Sequence, residues 1–177
     1  MKDALTCIKK YAEVVNDEKF ILHWKKLSEK LLRGIQKNYD LHEPNIVEII
    51  ENIINNFGQF HTNGRYFSVS TNSIFIHGNK SQVEFEYYGK STRRELGDII
   101  FILSVVYNGK KYFEKMTINQ VKKSKNVLWN FNNDSAKEQL YLLSRFPTFR
   151  GTNNSLIPTK NYNLPNCSGC LGSHGLL

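Results

Sequence analysis

The sequence predicts an α/β fold: a helical first third, a mixed β-sheet through the middle and a packing helix behind it. Three observations carry this expectation. Apolar residues recur at helical spacing as far as Phe57, and the period then falls to two after His61-Thr62-Asn63-Gly64. A long apolar segment, Leu96 to Tyr107, then runs into Asn108-Gly109, a strong hairpin signal. A chain of 177 residues suits one domain. Its 40% apolar and 23% charged residues supply a core rather than a disordered tract.

The elements follow in order. Residues 4–15 and 18–37 read as helices, the second with Ile21, Trp24, Leu27, Leu31 and Leu32 at helical spacing and weakened near its end by Gly34. In a third helix Pro44 occupies the first turn. Ile46, Val47, Ile49, Ile50, Ile53, Ile54 and Phe57 form its broad apolar face, Glu48, Glu51, Asn52 and Asn55 the polar stripe, and Gly58 the stop. Tyr66–Ser70 and Ser73–His77 read as two short strands joined at Thr71-Asn72. Val83, Phe85 and Tyr87 alternate with Glu84, Glu86 and Tyr88 as in a half-buried strand. Leu96–Tyr107 reads as a strand buried on both faces, with Lys111–Lys123 as its partner. A last helix begins near Asp134 or Ser135, where Ser135 and Glu138 have capping-box spacing, and Pro147 ends it. By this reading residues 1–60 are N-terminal helices, 61–150 the α/β core and 151–177 a loop-rich tail. The ending Gly-Leu-Leu resembles the start of a further element.

Composition narrows the function. Lys and Arg number 24 against 16 Asp and Glu, giving +8 and a pI near 9.3, which favours a polyanionic partner: nucleic acid first, an anionic membrane surface second. The N-terminus has no apolar stretch of signal-peptide type, and the longest apolar run, Ile99–Tyr107, is far short of the ~20 residues that span a bilayer. Three cysteines form no disulfide framework. A cytoplasmic protein with no membrane partner is expected.

The central hairpin carries the chemistry. A three-residue loop over Asn108-Gly109-Lys110 sets Asp98 opposite Gln120. A strict two-residue turn sets it opposite Asn119 and calls for a bulge elsewhere. Gln120 and Lys122 share one strand face, so a carboxylate, an amide oxygen and an ammonium can converge at one sheet edge. That trio suits metal-assisted phosphodiester hydrolysis. Asp98, Gln120 and the Val121 carbonyl supply oxygens for Mg²⁺ or Mn²⁺, and Lys122 orients the water or balances charge on the phosphate. Arg93 and Arg94 precede one strand, and Lys123 and Lys125 leave the other, where neighbouring DNA phosphates would lie. The alternative is a solvated basic run that keeps strand ends soluble.

The segment ELGDIIFILSVVYNGKKYFEKMTINQVKKSK (95–125) resembles the PD-(D/E)XK nuclease superfamily in its Gln-x-Lys variant. Gln139-Leu140 and Phe146-Pro147-Thr148-Phe149 extend the resemblance, which covers residues 74–150. It implies a restriction-endonuclease-like αβββαβ core with Asp98 as metal ligand, Gln120 at the second acidic position and Lys122 as catalytic lysine. Gly97 stands where the superfamily often has proline, and Gln120 removes a negative charge. The superfamily often takes another carboxylate from the preceding helix, for which Glu48 is the candidate. Glu95, three positions from Asp98, falls on the other strand face unless Gly97 introduces a bulge. The implied activity is a Mg²⁺-dependent endodeoxyribonuclease, in restriction or phage defence. The alternative is a catalytically degenerate nuclease fold that serves as a nucleic-acid-binding or protein-interaction module. Cutting both duplex strands calls for two active sites, hence a homodimer or a partner subunit.

Other candidates are weaker. Cys167, Cys170 and His174 are soft-metal ligands at tight spacing, but a structural zinc site takes four, so reduced thiols in a tail are the expectation and zinc is not. No histidine has a nucleophile and an orienting acid at recognisable spacing, and no Gly-rich phosphate loop is present. Trp129, Phe131 and Phe149 read as core or loop anchors rather than base-stacking platforms.

Overall fold

The computed structural model describes residues 2–78, 81–123, 132–152, 160–164 and 172–176. Along the chain run α1 (Lys2–Val14), α2 (Glu18–Lys37), α3 (Glu43–Phe57), β1 (Gln59–His61), β2 (Phe67–Phe75), β3 (Gln82–Tyr87), β4 (Lys90–Glu95), β5 (Ile99–Tyr107), β6 (Lys110–Lys122), α4 (Asp134–Arg145), β7 (Phe149–Gly151), β8 (Asn161–Tyr162) and β9 (Gly172–Leu176). One sheet has the order β1-β2-β5-β6-β9 and the other β4-β3-β7-β8. The first is mixed, because β9 runs parallel to β6 while the β5–β6 hairpin is antiparallel. No helix among the described residues is long and apolar enough to cross a membrane.

The chain forms two compact units, Met1–Ser73 with Phe101–Met116, and Ile74–Ile100 with Thr117–Leu177. These do not follow linear boundaries at residues 60 and 150, because β2, β5 and β6 each begin in one unit and end in the other. In the first unit Cys7, Val14, Phe60, Phe67, Val69 and Val105 form a core against Phe20 and Trp24. Helix α3 buries Ile46, Val47, Ile50 and Ile54, as its apolar face requires. Asn55, on the polar stripe, instead clasps Ser73: its amide donates to the Ser73 carbonyl at 3.0 Å and its oxygen accepts the Ser73 N–H at 2.7 Å. At Gly34 a Cβ would lie 2.6 Å from Ile53 Cδ1, so the residue that weakens α2 also lets α3 pack closely.

Several expected elements change. Tyr66–Ser70 and Ser73–His77 are not two strands; Thr71 and Asn72 continue one strand, β2. Thr71 donates its N–H to the Gly58 carbonyl at 2.6 Å, so the pair of polar residues is held in extended chain. The segment from Leu96 is not strand throughout: β5 starts at Ile99, and Leu103 on it is exposed. Asn133, not Ser135, caps α4, its side chain accepting the Ala136 N–H at 2.7 Å. Glu138 serves elsewhere, accepting from Thr92 Oγ1 at 2.9 Å and pairing with Arg94. Among the described residues of the tail, β8 pairs with β7 and Gly172–Leu176 lies parallel along β6.

The second unit is built around the β3–β4 hairpin, which turns at Tyr88-Gly89 with φ of 46° and 79°. Val83, Phe85, Leu142 and Phe149 form its core, joined by Leu96, Tyr141 and Tyr162. Phe149 is therefore a core residue, and Trp129 and Phe131 lie outside the described residues.

Candidate metal centre

Four segments of the second unit meet at one point: the chain just after β2, the end of β4, the bend before β5 and the end of β6. The bend is Leu96–Asp98, where the chain leaves one sheet for the other. Gly97 makes it feasible, because a Cβ there would lie 2.8 Å from Ile118 Cγ2 and 3.0 Å from the Asn119 carbonyl oxygen. The main chain of Asp98 is fixed on both sides. Its N–H donates to Asn119 O at 2.9 Å, and its carbonyl accepts the Ile76 N–H at 2.9 Å.

The hairpin closes with a two-residue turn, Asn108-Gly109, with φ of 48° and 73°. Of the two registers the sequence allows, this one sets Asp98 against Asn119, in accord with the Asp98 N–H to Asn119 bond. Asp98 precedes the strand, and its carboxylate reaches along β6 to accept the Val121 N–H at 2.7 Å and the Gln120 amide on the same oxygen, Oδ2.

Asp98 is 1% exposed and Gln120 3%. The other Asp98 oxygen, Oδ1, lies 3.0 Å from His77 Nδ1, which is itself 3.3 Å from Glu95 Oε2. His77, Glu95 and Asp98 each offer a ligand atom, all within 4.8 Å of one another. Glu95 joins Asp98 because Glu95 ends β4 while Asp98 lies in the bend before β5, so the expectation that strand alternation would separate them does not hold. Gln139 of α4 donates to the Glu95 carbonyl at 2.7 Å, and Phe75 stacks on the His77 ring at 5.9 Å. A buried carboxylate with two donors on one oxygen is thus flanked by an imidazole and a second carboxylate that reach solvent.

Gln120 carries an additional signature. Its Nε2 faces Asp98, while its Oε1 is buried with no hydrogen-bond partner among the described residues. A buried, unsatisfied acceptor is costly. A cation beside Asp98 would be met by this oxygen after a turn of the amide, which exchanges its two ends without moving the strand. Carboxylate, amide and imidazole donors therefore fit a divalent ion.

The other expected site residues fall variously. Lys122 is exposed at the end of β6, two residues beyond Gln120. The Val121 carbonyl is 3.4 Å from Gln120 Nε2. Glu48 is exposed on α3, in the first unit, and is not part of the His77–Glu95–Asp98 group. Arg93 pairs with Glu84 at 3.8 Å, and Arg94 pairs with Glu138, so both charges are met within the unit. Lys123 is half-buried, while Lys125, Cys167 and Cys170 lie outside the described residues. His174 is in β9, in register with Gln120.

Sequence reasoning missed His77. Its signal was the self-contained hairpin of residues 82–95, whose two ends had to return to one place and bring residue 77 beside residues 95–98.

Comparison with protein-family models, curated proteins and solved structures finds no match to this chain.

Proposed function

We propose that this protein is a divalent-metal-dependent nuclease that hydrolyses DNA phosphodiester bonds, with a role in restriction or phage defence. One observation carries the reading: a buried Asp98 carboxylate, tied to the Val121 N–H, stands beside the Gln120 amide on the strand that bears Lys122 two positions on. The order of elements supports it. Leaving aside the inserted β3–β4 hairpin and the short strands β1, β7 and β8, the elements α3, β2, β5, β6, α4 and β9 follow a helix, three-strand, helix, strand succession, with β2-β5-β6-β9 adjacent in the sheet. That succession is the one implied by the resemblance to PD-(D/E)XK nucleases.

Asp98 and Gln120 would hold the ion, with the Val121 carbonyl as a third oxygen. A bound Mg²⁺ or Mn²⁺ supplies Lewis-acid polarisation of the phosphate and a more acidic water. The chain supplies the rest. The Val121 N–H holds the carboxylate in one orientation, so no reorganisation is needed when substrate arrives. Lys122 orients the attacking water and offsets negative charge growing on the phosphate. The net charge of +8 draws a polyanion to the protein over long range.

Gln120 favours a second reading. A neutral amide where nucleases of this kind commonly carry a carboxylate suits a fold that binds nucleic acid without cutting it. Wild type and Lys122→Ala, incubated with plasmid and single-stranded DNA in Mg²⁺, Mn²⁺ or EDTA, separate the two. Metal-dependent cutting by wild type that is lost in the variant supports the nuclease. Binding without cutting in any metal overturns it in favour of the binding module.

A further inference from the structure

We infer that His77 is a nitrogen ligand of this centre, and that with it the site selects a first-row transition divalent ion of the Mn²⁺ and Co²⁺ class over Mg²⁺. The inference rests on the metal-binding half of the reading above, and goes beyond it in naming the ion class and the residue that sets it.

The donor set leads to this conclusion. Mg²⁺ prefers all-oxygen, strictly octahedral surroundings and keeps several waters. Imidazole nitrogen instead suits the transition ions. Here a single ring nitrogen, His77 Nδ1, faces both carboxylates, at 3.0 Å from Asp98 Oδ1 and 3.3 Å from Glu95 Oε2. These three donors, all within 4.8 Å of one another, surround one small volume. The Gln120 oxygen, 97% buried with its residue and without a partner, is an independent sign that an acceptor is held for something absent from the side-chain network. With the amide turned so that its oxygen replaces its nitrogen beside Asp98, it would be a fourth donor.

The ligands are also held in advance. Asp98 is fixed through its own N–H and carbonyl, Glu95 through its carbonyl to Gln139, and His77 by stacking on Phe75. The side chains of His77 and Glu95 are 32% and 28% exposed, which leaves an entry path on their side. Outer partners of this kind orient ligands and sustain affinity.

Calorimetric titration of the full metal-free chain with Mn²⁺ and with Mg²⁺ tests the inference, with pulsed EPR on the Mn²⁺-loaded wild type as a readout that needs no variant. We expect Mn²⁺ to bind tighter than Mg²⁺ by about tenfold or more, with ¹⁴N modulation from a directly bound imidazole. In His77→Ala, Mn²⁺ affinity should fall about tenfold or more while Mg²⁺ affinity stays within about threefold, on the scale set by the loss of an orienting group. His77→Asn, which offers oxygen in place of nitrogen, should bind both ions with the preference gone. Melting in EDTA verifies that each variant folds. Equal affinities for the two ions without ¹⁴N modulation would overturn the inference and leave the nuclease reading standing. Absence of binding by any divalent ion would overturn both.

Discussion

Val121 donates its backbone N–H to Asp98 Oδ2 at 2.7 Å, so the buried carboxylate is held by the main chain of the strand that also carries Gln120 and Lys122. The bond couples two segments 23 residues apart through an atom that substitution at position 121 does not remove. Position of the carboxylate thus depends on the fold of β6 rather than on the side chain at 121.

Asp98→Ala should lower stability as well as abolish metal-dependent cutting. Without the carboxylate, the Val121 N–H and the Gln120 amide lose their acceptor in a buried place, which costs about 1–3 kcal/mol for each unsatisfied group. Urea unfolding of the metal-free protein measures the loss. An unchanged midpoint would mean that water satisfies these donors in the variant.

Gly97→Ala should be destabilising by about 1–3 kcal/mol, as overpacking usually is. The new methyl meets Ile118 Cγ2 at 2.8 Å and the Asn119 carbonyl oxygen at 3.0 Å, and the latter, being main chain of β6, can yield only by moving the strand that bears Gln120. Metal affinity should fall together with the denaturation midpoint. Gly58→Ala offers a comparison within the first unit: its Cβ would lie 2.2 Å from the Thr71 oxygen, so stability should fall with metal affinity retained in the folded fraction.

Gln120→Glu should have opposite effects with and without metal. Two buried carboxylates side by side repel, so the melting temperature in EDTA should drop. An added Mn²⁺ or Mg²⁺ should then raise it by more than it does in wild type, because an ion that binds only the folded state stabilises according to its affinity. Scanning fluorimetry across a metal series reads both effects.

Acid stability should depend on Ser91. The Ser91 hydroxyl, and after it the Arg150 guanidinium, hold the Glu84 carboxyl below its ordinary value. A depressed folded-state value contributes stability that is present above the unfolded carboxylate's titration and is lost as pH falls through the folded one. Ser91→Ala should therefore be less stable than wild type at neutral pH, with the difference closing on the acid side. Unfolding midpoints measured from neutral to acid pH check this.

Much of this arrangement was legible in the residues. The bounds of α2, the apolar face of α3 and the Asn108-Gly109 turn follow from periodicity and turn chemistry, which are local. The misses were non-local. Thr71-Asn72 looks like a turn because of its residue types, and only the bond to Gly58 shows why it stays extended. Strand alternation would set Glu95 and Asp98 on opposite faces, yet Glu95 ends β4 and Asp98 lies in the bend at Gly97, which brings them together. His77 has no local signal at all. Its place is decided by the return of a hairpin 18 residues later.

That hairpin separates two evolutionary freedoms. Its feet are stitched down beside the ligands, with Leu96 bonded to Ser81 at 2.8 Å and Ile76 to Asp98 at 2.9 Å. Its tip reaches solvent: Tyr88 is 80% exposed, and a Cβ at Gly89 would meet nothing within 4 Å. Outside the two turn positions, whose positive φ restricts what can stand there, exposed residues at the far end can change while the residues at its departure and return keep their spacing. New recognition can be written at the tip without editing the chemistry at the root.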